Sequence, residues 1–120
     1  MARVSYPRRG EVFLVSFDPA VGSEIRKTRP AVIVQNDVAN EFSPVTIVAA
    51  ITSKFGPTLR ATEASISGAE TGLGQPSVIL LNQIRSVDRA RLVRKLGKVD
   101  GRTVKIVDRC LKISFGLIDF

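Results

Sequence analysis

Four short apolar runs, three of them followed directly by aspartate or asparagine, constrain the fold most strongly. They occupy residues 11–17, 31–35, 45–51 and 77–81. Runs of this length that are rich in β-branched residues and bounded by turn residues predict strands. The third run is apolar on both faces, which predicts a place inside the sheet rather than at its edge. A weaker alternating stretch, 58–66, predicts a fifth strand, and strands at this spacing indicate a small twisted barrel.

One helix is predicted after the strands. Asp100 is a suitable N-cap, and apolar residues recur beyond it at helical spacing. These apolar residues are Val104, Val107, Leu111 and Ile118, and the opposite face carries Arg102, Lys105, Arg109 and Lys112. The basic face is either a surface that tracks phosphates or an ordinary solvated face. The expected fold class is therefore mainly β with a C-terminal α-helix, in one domain over residues 1–120, with an irregular glycine-rich loop at 67–76.

The charge balance narrows the class of partner. The chain has 18 lysine and arginine residues against 11 acidic residues, a net charge of +7, and arginine is twice as common as lysine. Because the guanidinium group binds phosphate through two parallel hydrogen bonds, nucleic acid is the first expectation, ahead of an acidic protein segment or a membrane surface. A basic surface with no specific partner stays open as the alternative.

Two absences exclude much of enzyme chemistry. The chain has no histidine and a single cysteine, Cys110. Histidine-based nucleophile systems and histidine-bearing zinc sites are therefore impossible, and no internal disulfide can form. Cys110 is expected to be a small core residue in a reducing compartment. No run approaches the roughly 18 apolar residues that span a bilayer, so we expect a cytoplasmic protein without membrane contact.

The loop between the first two strands is the strongest candidate binding site. Between Ser23 and Arg29 it offers one carboxylate, two hydroxyls and three cations within seven residues. Loops on rigid scaffolds are where binding and chemistry concentrate. The loop therefore predicts an anion site, with Gly22 supplying a positive φ for the turn. Further along, Asn36 and Asp37 are expected to cap a turn.

Several short motifs carry a resemblance to a known family. In chain order they are Gly10-Glu11-Val12, Asp18-Pro19 with Gly22-Ser23-Glu24, Arg29-Pro30-Ala31-Val32, Gln35-Asn36-Asp37, Ile51-Thr52 and Gln83-Ile84-Arg85-Ser86-Val87-Asp88. Together they resemble the MazF/PemK family of toxin endoribonucleases from type II toxin–antitoxin systems. The similarity runs from about Arg8 to Phe120.

The resemblance implies a fold, an activity and partners. The fold would be a small SH3-like, CcdB/MazF-type barrel that forms a homodimer. The activity would be sequence-specific cleavage of single-stranded RNA without a metal or other cofactor, giving 2′,3′-cyclic phosphate and 5′-hydroxyl ends. A cognate antitoxin would inhibit the enzyme by laying an acidic tail over the RNA groove. A surface of net charge +7 suits such a partner.

The family's catalytic positions map to Arg29, Thr52 and Glu24. Arg29 is a poor base but a strong stabiliser of charge on phosphoryl oxygens. Thr52 would position the phosphoryl group, and Glu24 is the candidate base for the 2′-hydroxyl. Read without the family, Arg29 pairs with Glu24 and Thr52 is an ordinary strand-terminal residue.

Four further residues are implied to contact RNA. They are Ser23, Ser53, Lys54 and Gln83. Because RNA sequence is read on splayed single-stranded bases, specificity is expected to depend on the loops 53–59 and 67–77. The sequence departs from the family at Glu11, where aspartate is frequent, and at 25–28, whose added cations bear on specificity.

Two other functions compete with the nuclease. The same fold serves in a toxin that binds DNA gyrase by protein contact, without catalysis. A basic barrel that binds RNA without chemistry would show affinity that falls steeply with salt but no strand scission. Arg29 together with Thr52 favours the nuclease.

Overall fold

The computed structural model describes residues 6–18, 21–24 and 27–120. Within them the chain forms six strands, two α-helices and a short 3-10 turn. Their bounds are β1 Glu11–Ser16, β2 Thr28–Ile33, α1 Asp37–Phe42, β3 Val45–Thr52, β4 Glu63–Ile66, β5 Ser77–Asp88, the 3-10 turn Arg89–Arg91, β6 Leu92–Lys98 and α2 Gly101–Ser114. The predicted mainly β fold with a C-terminal helix is confirmed.

The strands form one antiparallel sheet in the order β4-β5-β3-β2-β1-β6. β3 lies between β5 and β2, which confirms the interior position predicted from its apolar run. β1 lies between β2 and β6, so the loop that follows β1 begins at a strand held on both sides. Backbone on a strand paired on both edges is a rigid support for a functional loop.

The two faces of the sheet build separate cores. Alternate residues of β1, β2 and β3 point to opposite faces. One face packs under α2 and contains Val12, Val32, Ala49, Val107 and Cys110 among its buried residues. The other face forms a second cluster of Val15, Phe17, Ala31, Ile33, Val48 and Val87, with Phe13 and Leu92 packed against it. The predicted core position of Cys110 is confirmed, and burial raises the pKa of its thiol.

The glycine-rich loop 67–76 covers the edge strand β6. The Lys98 amide donates to the Glu70 carbonyl at 3.3 Å. A Cβ atom on Gly72 would lie 2.1 Å from the Leu96 carbonyl oxygen, and one on Gly97 would lie 2.5 Å from the Glu70 carbonyl oxygen. Both distances are impossible for real side chains, so the contact of loop and strand requires glycine at both positions. Since this loop links β4 to β5, it brings the two edges of the sheet together.

β5 is interrupted by a bulge. Ala50 of β3 pairs with Leu80, whereas its neighbour Ala49 pairs with Ile84, so residues 81–83 have no counterpart on β3. Bulges bend a strand and re-aim its side chains. The bulge places Gln83 at a bend in the middle of a twelve-residue strand.

Several elements differ from the sequence prediction. β5 runs to Asp88, well beyond the predicted end at residue 81, and β6 was not predicted because its cations interrupt the apolar alternation. The fourth strand covers Glu63–Ile66 rather than 58–66. The predicted turn near Asn36 is a short helix, α1, whose Ala39 amide donates to the Asn36 side chain at 2.9 Å.

The C-terminal helix begins as predicted but ends earlier. Asp100 is its N-cap and accepts from the Thr103 amide at 2.8 Å. The helix stops at Ser114, and Gly116 follows with a φ of +72°, which reverses the chain. Ile118 therefore lies beyond the helix, and its assignment to the helical apolar face was wrong. No helix in the described part of the chain is long and apolar enough to cross a membrane.

Candidate functional site

The loop between β1 and β2 is closed at its base by backbone contacts. The Phe17 amide donates to the Lys27 carbonyl at 2.8 Å, and the Lys27 amide donates to Asp18 Oδ1 at 2.9 Å. Lys27 adopts a φ of +65°, a left-handed conformation that is uncommon for a residue with a side chain. This tight closure fixes where the chain enters β2, two residues before Arg29.

Two arginine side chains also hold the base of this loop through hydrogen bonds to backbone carbonyls. Arg85 Nη1 donates to the Phe17 carbonyl at 2.7 Å. Arg91 Nη1 donates to the Ser16 carbonyl at 3.1 Å and also contacts the Asp18 carbonyl. Because charged donors make stronger hydrogen bonds than neutral ones, these contacts hold the end of β1 firmly.

Arg29 and Thr52 lie on neighbouring strands, just beyond the last pair of the β2–β3 ladder. Arg29 pairs with Val15 in the β1–β2 ladder, and Ala31 pairs with Ala50 in the β2–β3 ladder. The second ladder stops there because Pro30 has no amide hydrogen to donate. If the register continued by two residues, it would set Arg29 opposite Thr52. Cβ atoms of opposite residues in such a pair lie about 4.5–5.5 Å apart.

The hydroxyl of Thr52 organises the turn that follows β3. Its Oγ1 accepts from the Lys54 amide at 3.1 Å and donates to the Lys54 carbonyl at 3.2 Å. Thr52 is half-buried, whereas Ser53 and Lys54 are exposed beside it. This local arrangement holds the hydroxyl at the open end of the β2–β3 pair.

Glu24 and Gln83 line one small cleft. The cleft has a volume of about 60 Å³ and is lined by Phe17, Glu24, Ala50, Gln83, Ile84 and Arg85. Glu24 Oε1 accepts from the Val21 amide at 2.6 Å, which folds the carboxylate back over its own turn. The turn has the positive φ expected at Gly22, +60°. Ser23 is exposed beside Glu24 but does not line the cleft.

Ala50 connects the cleft to the Arg29–Thr52 pair. It lines the cleft and pairs with Ala31. Two residues further along each strand, on the same face, come Thr52 and Arg29, about 7 Å away at the rise of a β-strand. Of the predicted site residues, Glu24 and Gln83 line the cleft, whereas Arg29 and Thr52 do not.

Arg29 forms no ion pair with the residues that the structure describes. The ion pairs among those residues are Arg9–Asp108, at 2.7 Å, and Lys95–Glu11, at 2.6 Å. The alternative in which Arg29 pairs with Glu24 is therefore not adopted. An exposed guanidinium group without an ion-pair partner is suited to bind an anion.

Phe17, Arg85 and Arg91 belong to the site but were not predicted. Arg85 lies within a motif used for the family resemblance, yet the motif gave it no role. A half-buried arginine in a strand requires acceptors, which was the available indication. Which carbonyls would accept could not be read from the sequence, because Phe17 and Arg85 are 68 residues apart.

The site offers no cluster of metal ligands. Throughout the described ranges, no group of three or more histidine, cysteine, aspartate or glutamate side chains could hold a metal ion. The chemistry available at the cleft is that of a guanidinium, a hydroxyl, a carboxylate and an amide.

Comparisons with known proteins agree on one family. Residues 8–115 match the model of the family described as PemK-like, MazF-like toxin of type II toxin-antitoxin system. Among curated proteins, the chain is 42% identical over 113 residues to Endoribonuclease EndoA of Bacillus subtilis, an alignment that covers 94% of this chain and 97% of the relative.

Solved structures show the same fold at lower identity. MazF from Deinococcus radiodurans superimposes with a TM-score of 0.80 at 22% identity, covering 94% of this chain and 99% of that one. An endoribonuclease in complex with its cognate antitoxin, from Mycobacterial species, gives a TM-score of 0.78 at 18% identity, covering 95% and 99%. The architecture described above is therefore shared with these two structures.

Proposed function

This chain belongs to the PemK-like, MazF-like toxin family of type II toxin–antitoxin systems and is an endoribonuclease, and we propose that it cuts single-stranded RNA at a short recognition sequence. We propose further that cleavage needs no metal ion. One observation carries the mechanism. Arg29 has no ion-pair partner in the described chain, and the β2–β3 register, if continued by two residues, would bring it opposite Thr52, beyond Ala50 of the cleft that Glu24 lines.

The RNA itself supplies the nucleophile. The 2′-oxygen forms a bond to the adjacent phosphorus while the bond from phosphorus to the 5′-oxygen breaks. The products are a 2′,3′-cyclic phosphate and a 5′-hydroxyl, and one proton moves from the 2′-hydroxyl side to the departing 5′-oxygen. The enzyme must therefore stabilise charge, align the phosphate and transfer a proton.

Each role has a residue suited to it. Arg29 stabilises the negative charge that develops on the phosphoryl oxygens. The Thr52 hydroxyl, already held in place by Lys54, aligns the phosphoryl group. Glu24 accepts the 2′-hydroxyl proton on Oε2, since Oε1 is bound to the Val21 amide. Ser23, Ser53, Lys54 and Gln83 contact the bases and phosphates on either side.

The chemistry of the reaction supports metal independence. In many nucleases a metal ion lowers the pKa of the water molecule that attacks the phosphate. Here the attacking group is the RNA 2′-hydroxyl, so no such water is needed. The sequence contains no histidine, and the described residues contain no ligand cluster.

The partners follow from charge and exposed apolar surface. A net charge of +7 favours RNA and an acidic antitoxin tail, which would compete for one groove. Antitoxin complexes are known for the structural neighbours from Mycobacterial species and Deinococcus radiodurans.

Phe115, Leu117 and Phe120 are all more than half exposed at the C-terminus, which supports an apolar contact with a second copy in a homodimer. We place this single toxin domain in the cytoplasm.

The decisive experiment is cleavage of a long single-stranded RNA in excess EDTA, with mapping of both new ends. We expect cuts at one short sequence, a cyclic phosphate at the 3′ side, and no cut where the nucleotide before the scissile bond is 2′-deoxy. Thr52→Ala should slow cleavage strongly while Thr52→Ser keeps most of it, because the hydroxyl is the working group. Glu24→Gln should slow the reaction without weakening RNA binding.

Other outcomes would identify the competing functions. Tight, salt-sensitive RNA binding without scission would indicate a basic binding barrel. Absence of scission together with binding to DNA gyrase would indicate a toxin that acts by protein contact. Cleavage that disappears in EDTA and returns with Mg²⁺ would contradict the metal-free mechanism.

A further inference from the structure

A second, larger cavity lies beside β1 and β6, away from the cleft. Its volume is about 480 Å³, against about 60 Å³ for the cleft that Glu24 lines. The residues that line it are Tyr6, Pro7, Arg8, Glu11, Phe13, Arg89, Leu92 and Lys95. None of them was assigned a role by the sequence analysis, apart from the family departure at Glu11. We call this cavity the β1–β6 pocket.

The charges of the β1–β6 pocket do not cancel. Lys95 Nζ lies 2.6 Å from Glu11 Oε2, and the other carboxylate oxygen of Glu11 accepts from the Arg8 amide at 2.7 Å. The single carboxylate of the wall is thus already occupied. Arg8 and Arg89 take part in neither ion pair of the described chain, which leaves the wall with two positive charges that lack a counter-ion.

Arg89 adds a second observation. Its guanidinium group contacts the Asn40 carbonyl, while its Nε is buried and has no hydrogen-bond partner among the described residues. A buried donor without an acceptor is uncommon, and a cation in that state favours an anion nearby. No ion pair of the described chain therefore compensates the charge of Arg89, and the nearby Glu41 carboxylate accepts from the Tyr6 hydroxyl at 3.5 Å.

The same wall carries aromatic and apolar faces. Phe13 and Leu92 are half-buried and pack together in the second core cluster. The Arg8 guanidinium lies 5.0 Å from the centre of the Tyr6 ring. Aromatic faces flanked by arginines are the arrangement by which proteins bind the base and phosphate of a single-stranded nucleotide.

The pocket and the cleft share one face of the sheet. Phe13 lines the pocket, Phe17 lines the cleft, and Val15 lies between them in the same core cluster. Four residues of a β-strand span roughly 13 Å, which is roughly four nucleotides at the 3.4 Å rise of a stacked strand and fewer if the strand is extended. Arg91 donates to the carbonyl of Ser16, which lies between Phe13 and Phe17 on β1, so one positive charge lies beside this interval.

We propose that the β1–β6 pocket binds a flanking nucleotide of the RNA strand whose scissile phosphate lies at Arg29. Its base stacks on Phe13 or Tyr6, and its phosphate is held by Arg8 with Arg89 behind it. The pocket adds affinity without reading sequence, because stacking and phosphate contacts accept every base. This inference rests on the proposed function, since that function supplies the RNA strand that reaches the pocket.

The test measures binding as a function of RNA length. Fluorescent RNAs carry the mapped cut sequence with a 2′-deoxy nucleotide that blocks cleavage, and they are extended by one to six uridines on either side. For the unmodified protein, we expect Kd to fall about tenfold over one or two added nucleotides on one side and then to level off. An abasic nucleotide at that position should lose most of the gain.

Arg8→Gln and Arg102→Gln form a matched pair of variants. Each removes one exposed arginine charge, from the pocket and from the outer face of α2 respectively. Arg8→Gln should bind the shortest RNA as the unmodified protein does but lose the gain with length, whereas Arg102→Gln should keep it. An equal gain with length in both variants, or no gain in the unmodified protein, would overturn the proposal.

Two further outcomes distinguish the nucleotide pocket from the cleavage mechanism and from a binding site for a protein partner. If all-ribose RNA is not cut but oligouridines still show the length-dependent gain and its loss in Arg8→Gln, the cleavage mechanism fails and the nucleotide pocket stands. If Arg8→Gln weakens binding of an acidic antitoxin peptide and leaves the RNA length dependence intact, the pocket belongs to a protein partner and the nucleotide proposal fails.

Discussion

Two acidic residues at the helix α2 and Arg29 at the loop between β1 and β2 use their charges in opposite ways. In α2, Asp108 pairs with Arg9 at 2.7 Å, and Asp100 accepts from the Thr103 amide at 2.8 Å. In the loop region, the contacts that fix the chain go to backbone groups, and the Arg29 guanidinium enters no ion pair of the described chain. Charges satisfied within the chain serve stability, whereas a charge left available on a fixed backbone serves a ligand.

Replacing Arg29 should give the largest loss of activity and almost no loss of stability. Removal of a group that stabilises transition-state charge costs about 10²–10³ in rate, so Arg29→Ala should lose at least that factor in single-turnover cleavage. Because the side chain is exposed, the free energy of unfolding should change by less than about 0.5 kcal/mol. A variant that loses several kcal/mol of stability would show that Arg29 is structural. Arg29→Lys keeps the positive charge but cannot make two parallel hydrogen bonds to phosphate, so its cleavage rate should lie between those of the unmodified protein and Arg29→Ala.

Arg91→Ala should lower both the stability and the cleavage rate, because Arg91 holds the base of the loop. It removes hydrogen bonds to the Ser16 and Asp18 carbonyls. We expect a loss of about 1–3 kcal/mol in urea unfolding and a decrease of roughly tenfold to a hundredfold in kcat, since small displacements of a catalytic group are costly. An unchanged kcat would show that the backbone contacts of Lys27 suffice to hold the loop.

Val107→Ala tests the opposite region. Val107 is 3% exposed and lies in the core under α2. The cavity left by its methyl groups should cost about 2 kcal/mol of unfolding free energy, measured in urea. The cleavage rate per folded molecule should stay the same at 25 °C. A decrease in that rate would mean that the helix controls the geometry of the cleft, and the two regions would not be independent.

The smallest expected effect is on the decrease of Tm at low pH. Hydrogen bonds from Thr103 lower the pKa of Asp100 from its usual 3.8. The folded state therefore favours the carboxylate, and this stabilisation is present above the unfolded pKa and is lost as the pH falls through the folded value. Asp100→Ser, which keeps a capping oxygen but does not titrate, should show a shallower loss of Tm below about pH 4. Identical acid limbs for the two proteins would contradict this assignment.

The elements with strong local patterns were predictable. β1, β3 and the start of α2 follow from β-branched runs and an N-cap, and Asp100 caps the helix as expected. β6 was missed because an edge strand with lysine and arginine at several positions has no clear alternation. Ile118 was misplaced because helical spacing continues past the glycine that ends the helix.

Two residues of the cleft lining, Glu24 and Gln83, were singled out from the sequence, but their arrangement was not predictable. Glu24 and Gln83 share a cleft only because the bulge at residues 81–83 bends β5, and no local pattern indicates a bulge of three residues. Arg85 and Arg91 reach carbonyls 68 and 75 residues away, which depends on how the sheet is ordered. Whether Arg29 acts in catalysis stays a prediction, since its placement does not measure a rate.

The close approach of the glycine-rich loop to β6 also bears on how the protein behaves at high concentration. β6 is an edge strand, and an uncovered edge offers its backbone groups to any other strand. The loop covers part of that edge, and it can do so only while Gly72 and Gly97 lack side chains. A side chain at either position would lift the loop and expose a template for intermolecular β-pairing. The first sign of such a change would be aggregation during expression, in protein whose cleft remains intact.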